Sequence, residues 1–241
     1  AYVLYYMSTL FGLNFYLSFL LAMVAAGILG IVIERVLLRP FSTRPDKAMV
    51  VTAGAMLIFQ NIMLAIATGT PKTFESPWEG RVLNISGSVL SVERVAMIVA
   101  SVVLIVALFG YIRFSKNGQA MSAVAQDREG SALQGISPGR LSALAMVIGC
   151  VLAGVAGALI GSLFSPLPTM GNTVLMKGIS IIILGGLGSI PGTVVGGIII
   201  GFLDGLVPLF TTQYVASLVG FLAVILILLV RPQGLMGHES P

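Results

Sequence analysis

Residues 115–139 read SKNGQAMSAVAQDREGSALQGISPG and differ from everything around them. Lys116, Asp127, Arg128 and Glu129 fall in this one stretch, while the segments on either side are nearly free of charge. The stretch also carries helix signals. Ser115 or Asn117 can cap its start, alanines and glutamines favour its interior, and Ser137-Pro138-Gly139 stops it. The spacing predicts a helix over 115–137, with Met121, Val124, Ala125, Ala132 and Leu133 on one imperfect face. A polar helix this short has little stability of its own, so a further surface must pack on it. That surface is either the chain's own apolar body or another protein.

The apolar body is read from composition. Of the 241 residues, 57% are hydrophobic and only 9% are charged, against about 25% charged in ordinary soluble domains. Mean hydropathy is +1.04, so the bilayer is the expected solvent. Cys150 is the single cysteine, which forbids an internal disulfide, and the lone histidine, His238, makes a metal site improbable on donor count. The net charge of +4 is not gathered into a basic stripe with interleaved aromatics, which argues against nucleic acid.

A crossing needs about 20 apolar residues. Residues 14–33, 48–68, 95–112 and 141–164 meet that, the last ending at SPLP, where two prolines forbid further regular helix. A glycine-rich stretch, 173–209, is divided by GSIPG at 188–192 and predicts two reduced spans or broken, re-entrant helices. Residues 214–230 complete seven expected crossings. The opening AYVLYYMSTLFG lacks an initiator Met and a signal-peptide pattern, so it reads as the end of an apolar segment begun earlier. The expected fold is all-α, a polytopic transmembrane bundle over 1–241 with a cytoplasmic segment at 113–140 and an external loop at 69–92. Trp78 in that loop is placed at the membrane interface.

Basic residues orient it. With alternating crossings, Arg35, Arg39, Arg44, Lys47, Arg113, Lys116, Arg128, Arg140 and Arg231 share one side. Lys72, Arg81, Arg94 and Lys177 fall on the other. The richer side is expected to be cytoplasmic, with the 113–140 segment and the C-terminus.

Two further constellations stand out. Gly157 and Gly161, then Gly188, Gly192 and Gly196, then Gly197, Gly201 and Gly205, recur at intervals of four. Such faces let helix backbones approach closely in lipid, a reading preferred over substrate contact. Gln60 and Asn61 sit mid-span, where interhelical hydrogen bonding is preferred over lining a pathway. Asp204 is the one acid within an expected crossing. It is either a functional group or a solvated carboxylate near a proline-marked end. Lys177 can snorkel.

GQAMSAVAQDREGSALQGIS resembles the cytoplasmic coupling segment of ATP-binding-cassette importer permeases, with the order Glu, small, small, three residues, Gly. Here these are Glu129, Gly130, Ser131 and Gly135; the general motif more often has alanines after the Glu. IERVLLRPF, within residues 31–41, resembles the first cytoplasmic connection of permeases for branched-chain amino acids. ILGGLGSIPGTVVGG at 183–197 and RPQGLMG at 231–237 resemble the C-terminal half and end of the smaller permease type in that group.

The resemblance implies a permease subunit for branched-chain amino acids, with urea, amides or other amino acids as alternative cargo. It implies two cytoplasmic ATPase subunits as partners, a second permease in a heterodimeric pore, a soluble binding protein outside, and a prokaryotic inner membrane as the location. The ATPase-coupling candidates are Gly118, Ala120, Asp127, Arg128, Glu129, Gly130, Ser131 and Gly135, and the pathway candidates are Gln60, Asn61 and Asp204. No G-x-x-x-x-G-K-[ST] phosphate loop occurs in the chain, so no cofactor is expected on it and ATP is hydrolysed by the partners. An ion-coupled secondary transporter would have at most Asp204 to work with. An intramembrane enzyme would lack a histidine in the spans.

Overall fold

The computed structural model describes residues 1–41, 45–67, 72, 80–85, 88–186 and 188–237. Trp78 and His238 lie outside them. In chain order the elements are α1 (Tyr2–Thr9), α2 (Phe15–Val32), α3 (Pro45–Ala67), β1 (Val82–Ile85), β2 (Ser88–Ser91) and α4 (Val92–Phe114). There follow α5 (Lys116–Gln126), α6 (Arg128–Leu133), α7 (Pro138–Leu163), α8 (Met170–Gly185), α9 (Ile190–Phe210) and α10 (Gln213–Val230). Among the described residues, five stretches are long and apolar enough to cross a membrane, Phe15–Phe41, Asp46–Ala67, Val92–Phe114, Pro138–Leu163 and Ile190–Phe210. Two shorter apolar helices, Met170–Gly185 and Tyr214–Val230, lie where the remaining two crossings were expected. The fold is an all-α polytopic helical architecture. One antiparallel ribbon is added within the expected external loop, pairing Val82 with Ser91 and Ile85 with Ser88.

The chain forms two compact units, Ala1–Pro168 and Thr169–Pro241. In the first, α2 lies along α7. Small residues permit that approach: a Cβ on Gly30 would sit 2.9 Å from the Cys150 Cβ, and one on Gly154 would sit 2.6 Å from the Ala26 Cβ. Without a hydrophobic drive between helices in lipid, such backbone proximity is the main source of attraction. Leu4, Phe15, Ala22 and Ala158 form the small core where α1 joins the pair. Beyond α2 the helix widens into a π-helical segment, Ile33–Leu38, that buries Glu34, and closes with a 3-10 turn at Arg39–Phe41.

In the second unit, α8 and α9 are each a continuous helix, with Gly186, Gly188 and Ser189 in the junction between them. The Ser189 Oγ caps α9 by accepting the Gly192 N–H at 3.1 Å, with Pro191 in the first turn. Gly185 and Gly192 meet backbone to backbone, leaving no room for a Cβ on either. Leu184, Ile200 and Val224 form the core with α10. After α10 the chain turns back: the Leu235 N–H donates to the Leu184 carbonyl at 2.9 Å, and the Met236 N–H to the Gly185 carbonyl at 3.0 Å. These bonds satisfy carbonyls that the end of α8 would otherwise leave open.

Candidate functional site

The polar insert is two helices rather than one. The Ser115 Oγ accepts the Gly118 N–H at 2.9 Å and starts α5. Asp127 then leaves the helical region (φ −144, ψ 105), and its Oδ1 accepts the Gly130 N–H at 2.9 Å, so it caps α6. The expected stop at Ser137-Pro138-Gly139 is corrected by the structure: Pro138 begins α7, and α6 ends earlier, at Leu133, with Gly135 just past its cap. Gly135 has φ +82, and the Gly135 N–H bonds the Ala132 carbonyl while the Ile136 N–H reaches back to Ser131. That pattern is a Schellman ending, and it needs a left-handed residue at Gly135.

The candidates divide between two sides. Gly118 is buried where α5 presses on the Tyr111 carbonyl and Ile112 at the end of α4. Ser131 is 6% exposed, and a Cβ on Gly130 would collide with the Asp127 carboxylate. The smallness of these residues serves the segment's own fold. Ala120 is half-buried. Facing out are Gln126, Asp127, Arg128, Glu129, Gln134 and Gly135, with Leu133 at 90% exposure. Met121 and Val124, expected on the same stripe as Leu133, are half-buried instead, because the break at Asp127 interrupts the stripe.

The pathway candidates separate as well. Asn61 donates to the Leu57 carbonyl of its own helix at 2.7 Å. Gln60, beside it, is half-buried. Asp204 accepts from the Lys177 Nζ at 2.6 Å, joining α9 to α8. Lys177 therefore belongs to the interior of a helix rather than to a connection. Both line a cavity of about 330 Å³ among α8, α9 and α10, with Asn172, Ser180, Ile200, Ser217 and Phe221. The signal that the sequence offered for this pair was two lone, opposite charges in neighbouring apolar segments.

Of the glycines, Gly192 and Gly196 lie against the backbone of α8, and Gly197 meets the Ile181 side chain. Gly161 meets Ala1 and Pro166, while Gly157 approaches only Ala1. Gly188 forms the α8–α9 turn at φ +85, and Gly201 and Gly205 meet no atom within 4 Å. The four-residue rhythm also passed over Gly27, Gly30 and Gly154, which hold α2 to α7. Among the described residues no cluster of His, Cys, Asp and Glu could hold a metal ion.

Residues 1–230 match the family described as branched-chain amino acid transport system / permease component. The chain belongs to that family. It is 34% identical to the high-affinity branched-chain amino acid transport system permease protein LivH of Escherichia coli K12, covering 92% of this chain and 74% of the relative. With the permease protein BraD of Pseudomonas aeruginosa it shares 30% identity over 92% of this chain and 75% of the relative. A probable branched-chain amino acid transport permease of Methanocaldococcus jannaschii is 26% identical over 99% of this chain and 80% of the relative. No solved structure matches the chain. Family membership and the apolar helices together make this a multi-pass membrane protein of the transport-permease type.

Proposed function

We propose that this chain is the translocating permease subunit of an ATP-binding-cassette importer for branched-chain or related small amino acids. Two separate cytoplasmic ATPase subunits grip α5–α6, a second permease completes the pore, and a soluble binding protein delivers cargo from outside. The observation that carries the reading is the outward face of α6, where Leu133 stands 90% exposed beside Arg128 and Glu129. A six-residue helix has little stability of its own, and an exposed leucine flanked by opposite charges is a face that a partner can cover and orient on.

Its inner face supports force transfer. Ser131 and Gly118 are buried against the chain's own helices, so a push on Leu133 is passed into the membrane body instead of being absorbed by a loose loop. The topology is supported by contacts between connections expected on one side, since the Lys72 N–H reaches the Pro166 carbonyl. On the other side, the tail after Arg231 packs on the turn between α8 and α9.

The test uses the assembled transporter in vesicles, comparing Glu129→Lys and Leu133→Glu with the native protein. Each change alters the outward surface and leaves the spans untouched. The expected result is loss of both amino-acid uptake and binding-protein-stimulated ATP hydrolysis, with the permease still in the membrane. Unchanged uptake and hydrolysis in both variants would exclude coupling through α6.

A further inference from the structure

Lys177 and Asp204 are the only charged residues in α8, α9 and α10. A charge placed within a span is costly and is most often retained for function. A buried ion pair is no better for stability than well-packed apolar residues of the same volume. Nor does the α8–α9 pair need it for cohesion, because Gly185, Gly192 and Gly196 already bring the two backbones together near the turn.

The geometry explains how the charges meet. Side chains on a helix lean toward its N-terminus. In an antiparallel pair those directions oppose, so Lys177 leans away from the junction of α8 and α9 and Asp204 leans toward it. They converge at 2.6 Å, yet the Lys177 and Asp204 side chains remain 37% and 20% exposed. Both line the same cavity. Its volume of about 330 Å³ lies at the small end of the roughly 300–1,000 Å³ usual for small-molecule sites. Its remaining lining includes Met176, Ile200 and Phe221 as apolar wall.

We propose that Lys177 and Asp204 form a transit station for the zwitterion of an aliphatic α-amino acid. The Lys177 ammonium takes the solute's carboxylate, the Asp204 carboxylate takes its ammonium, and Ile200 and Phe221 cover its side chain. This rests on the importer reading and adds the site through which that cargo passes. When no solute is present the two residues neutralise one another, so the empty station carries no unpaired charge. Their re-pairing displaces the solute, which keeps binding weak and release fast. A solute with one net charge leaves one residue unpaired and is disfavoured.

The test uses the complete transporter in proteoliposomes, measuring leucine uptake and binding-protein-stimulated ATP hydrolysis in the same vesicles. The paired variant Lys177→Met with Asp204→Leu removes both charges and leaves no orphan. It is expected to assemble, with leucine carried per ATP falling about tenfold or more, as loss of two charged partners implies. Lys177→Arg is expected to retain most uptake. Native uptake per ATP in the paired variant would overturn the station, and so would failure of that variant to assemble, which would make the pair a structural tie. If native uptake instead proceeds without the ATPases, the importer reading fails, and the station is then judged on the native-to-variant ratio of leucine uptake alone.

Discussion

The Ser18 hydroxyl is fully buried in α2 and has no hydrogen-bond partner among the described residues. Other span hydroxyls bond carbonyls of their own helix, as Ser101 does to Met97 and Ser180 to Met176. An unmet buried donor costs about 1–3 kcal/mol, and removing the group removes the cost. Ser18→Ala is therefore expected to leave thermal stability in detergent unchanged or raise it, as read by a melting curve of the purified permease. A clear drop would mean that the hydroxyl has a partner in the working protein. Lys177 carries the opposite lesson for reading sequence. Its charge was visible, but its place inside α8 depended on where that helix began, and proline-ended SPLP hid a start at Met170.

At the scale of elements, the insert shows what a sequence can and cannot give. Its polarity, its Ser115 cap and its helical character were legible because each is set locally. Its division at Asp127 was not, since Gln-Asp-Arg-Glu continues a helical pattern as readily as it begins one. The choice fell to the Asp127 carboxylate, which caps the Gly130 N–H and needs the absence of a Cβ there. Asp127→Ala should weaken α6 by about 1 kcal/mol. Hydrogen exchange should then speed up roughly fivefold at the amides of 130–134, with the membrane helices unchanged and Asp127→Ser restoring most protection. Equal exchange rates in native and Ala variants would show that the cap does not hold the helix. The glycine intervals were legible as helix-packing marks at Gly192 and Gly196, but spacing alone cannot tell a contact from the open faces at Gly201 and Gly205.

For the whole molecule, hydropathy made the seven apolar helices readable, because backbone groups in lipid have no alternative to helical bonding. The division into two compact units was not readable, since both halves share one composition. Orientation rests on nine of thirteen basic residues falling on one side. It is checked by replacing Cys150 with Ser and placing single cysteines at Arg81 and Glu129, both exposed. A membrane-impermeant maleimide applied to intact cells is expected to label Arg81→Cys at once and Glu129→Cys only after permeabilisation. The reverse order would invert the molecule and remove α6 from reach of ATP.

The returning tail has a consequence for biosynthesis. Leu184 and Gly185 receive their hydrogen bonds from Leu235 and Met236, which the ribosome adds about 50 residues later. Throughout that interval the nascent hairpin must leave those two carbonyls to water, so it cannot lock until Leu235 and Met236 have been added. Ribosomes stalled before Leu235 should hold an inserted but protease-sensitive junction, and those stalled beyond Gly237 a resistant one.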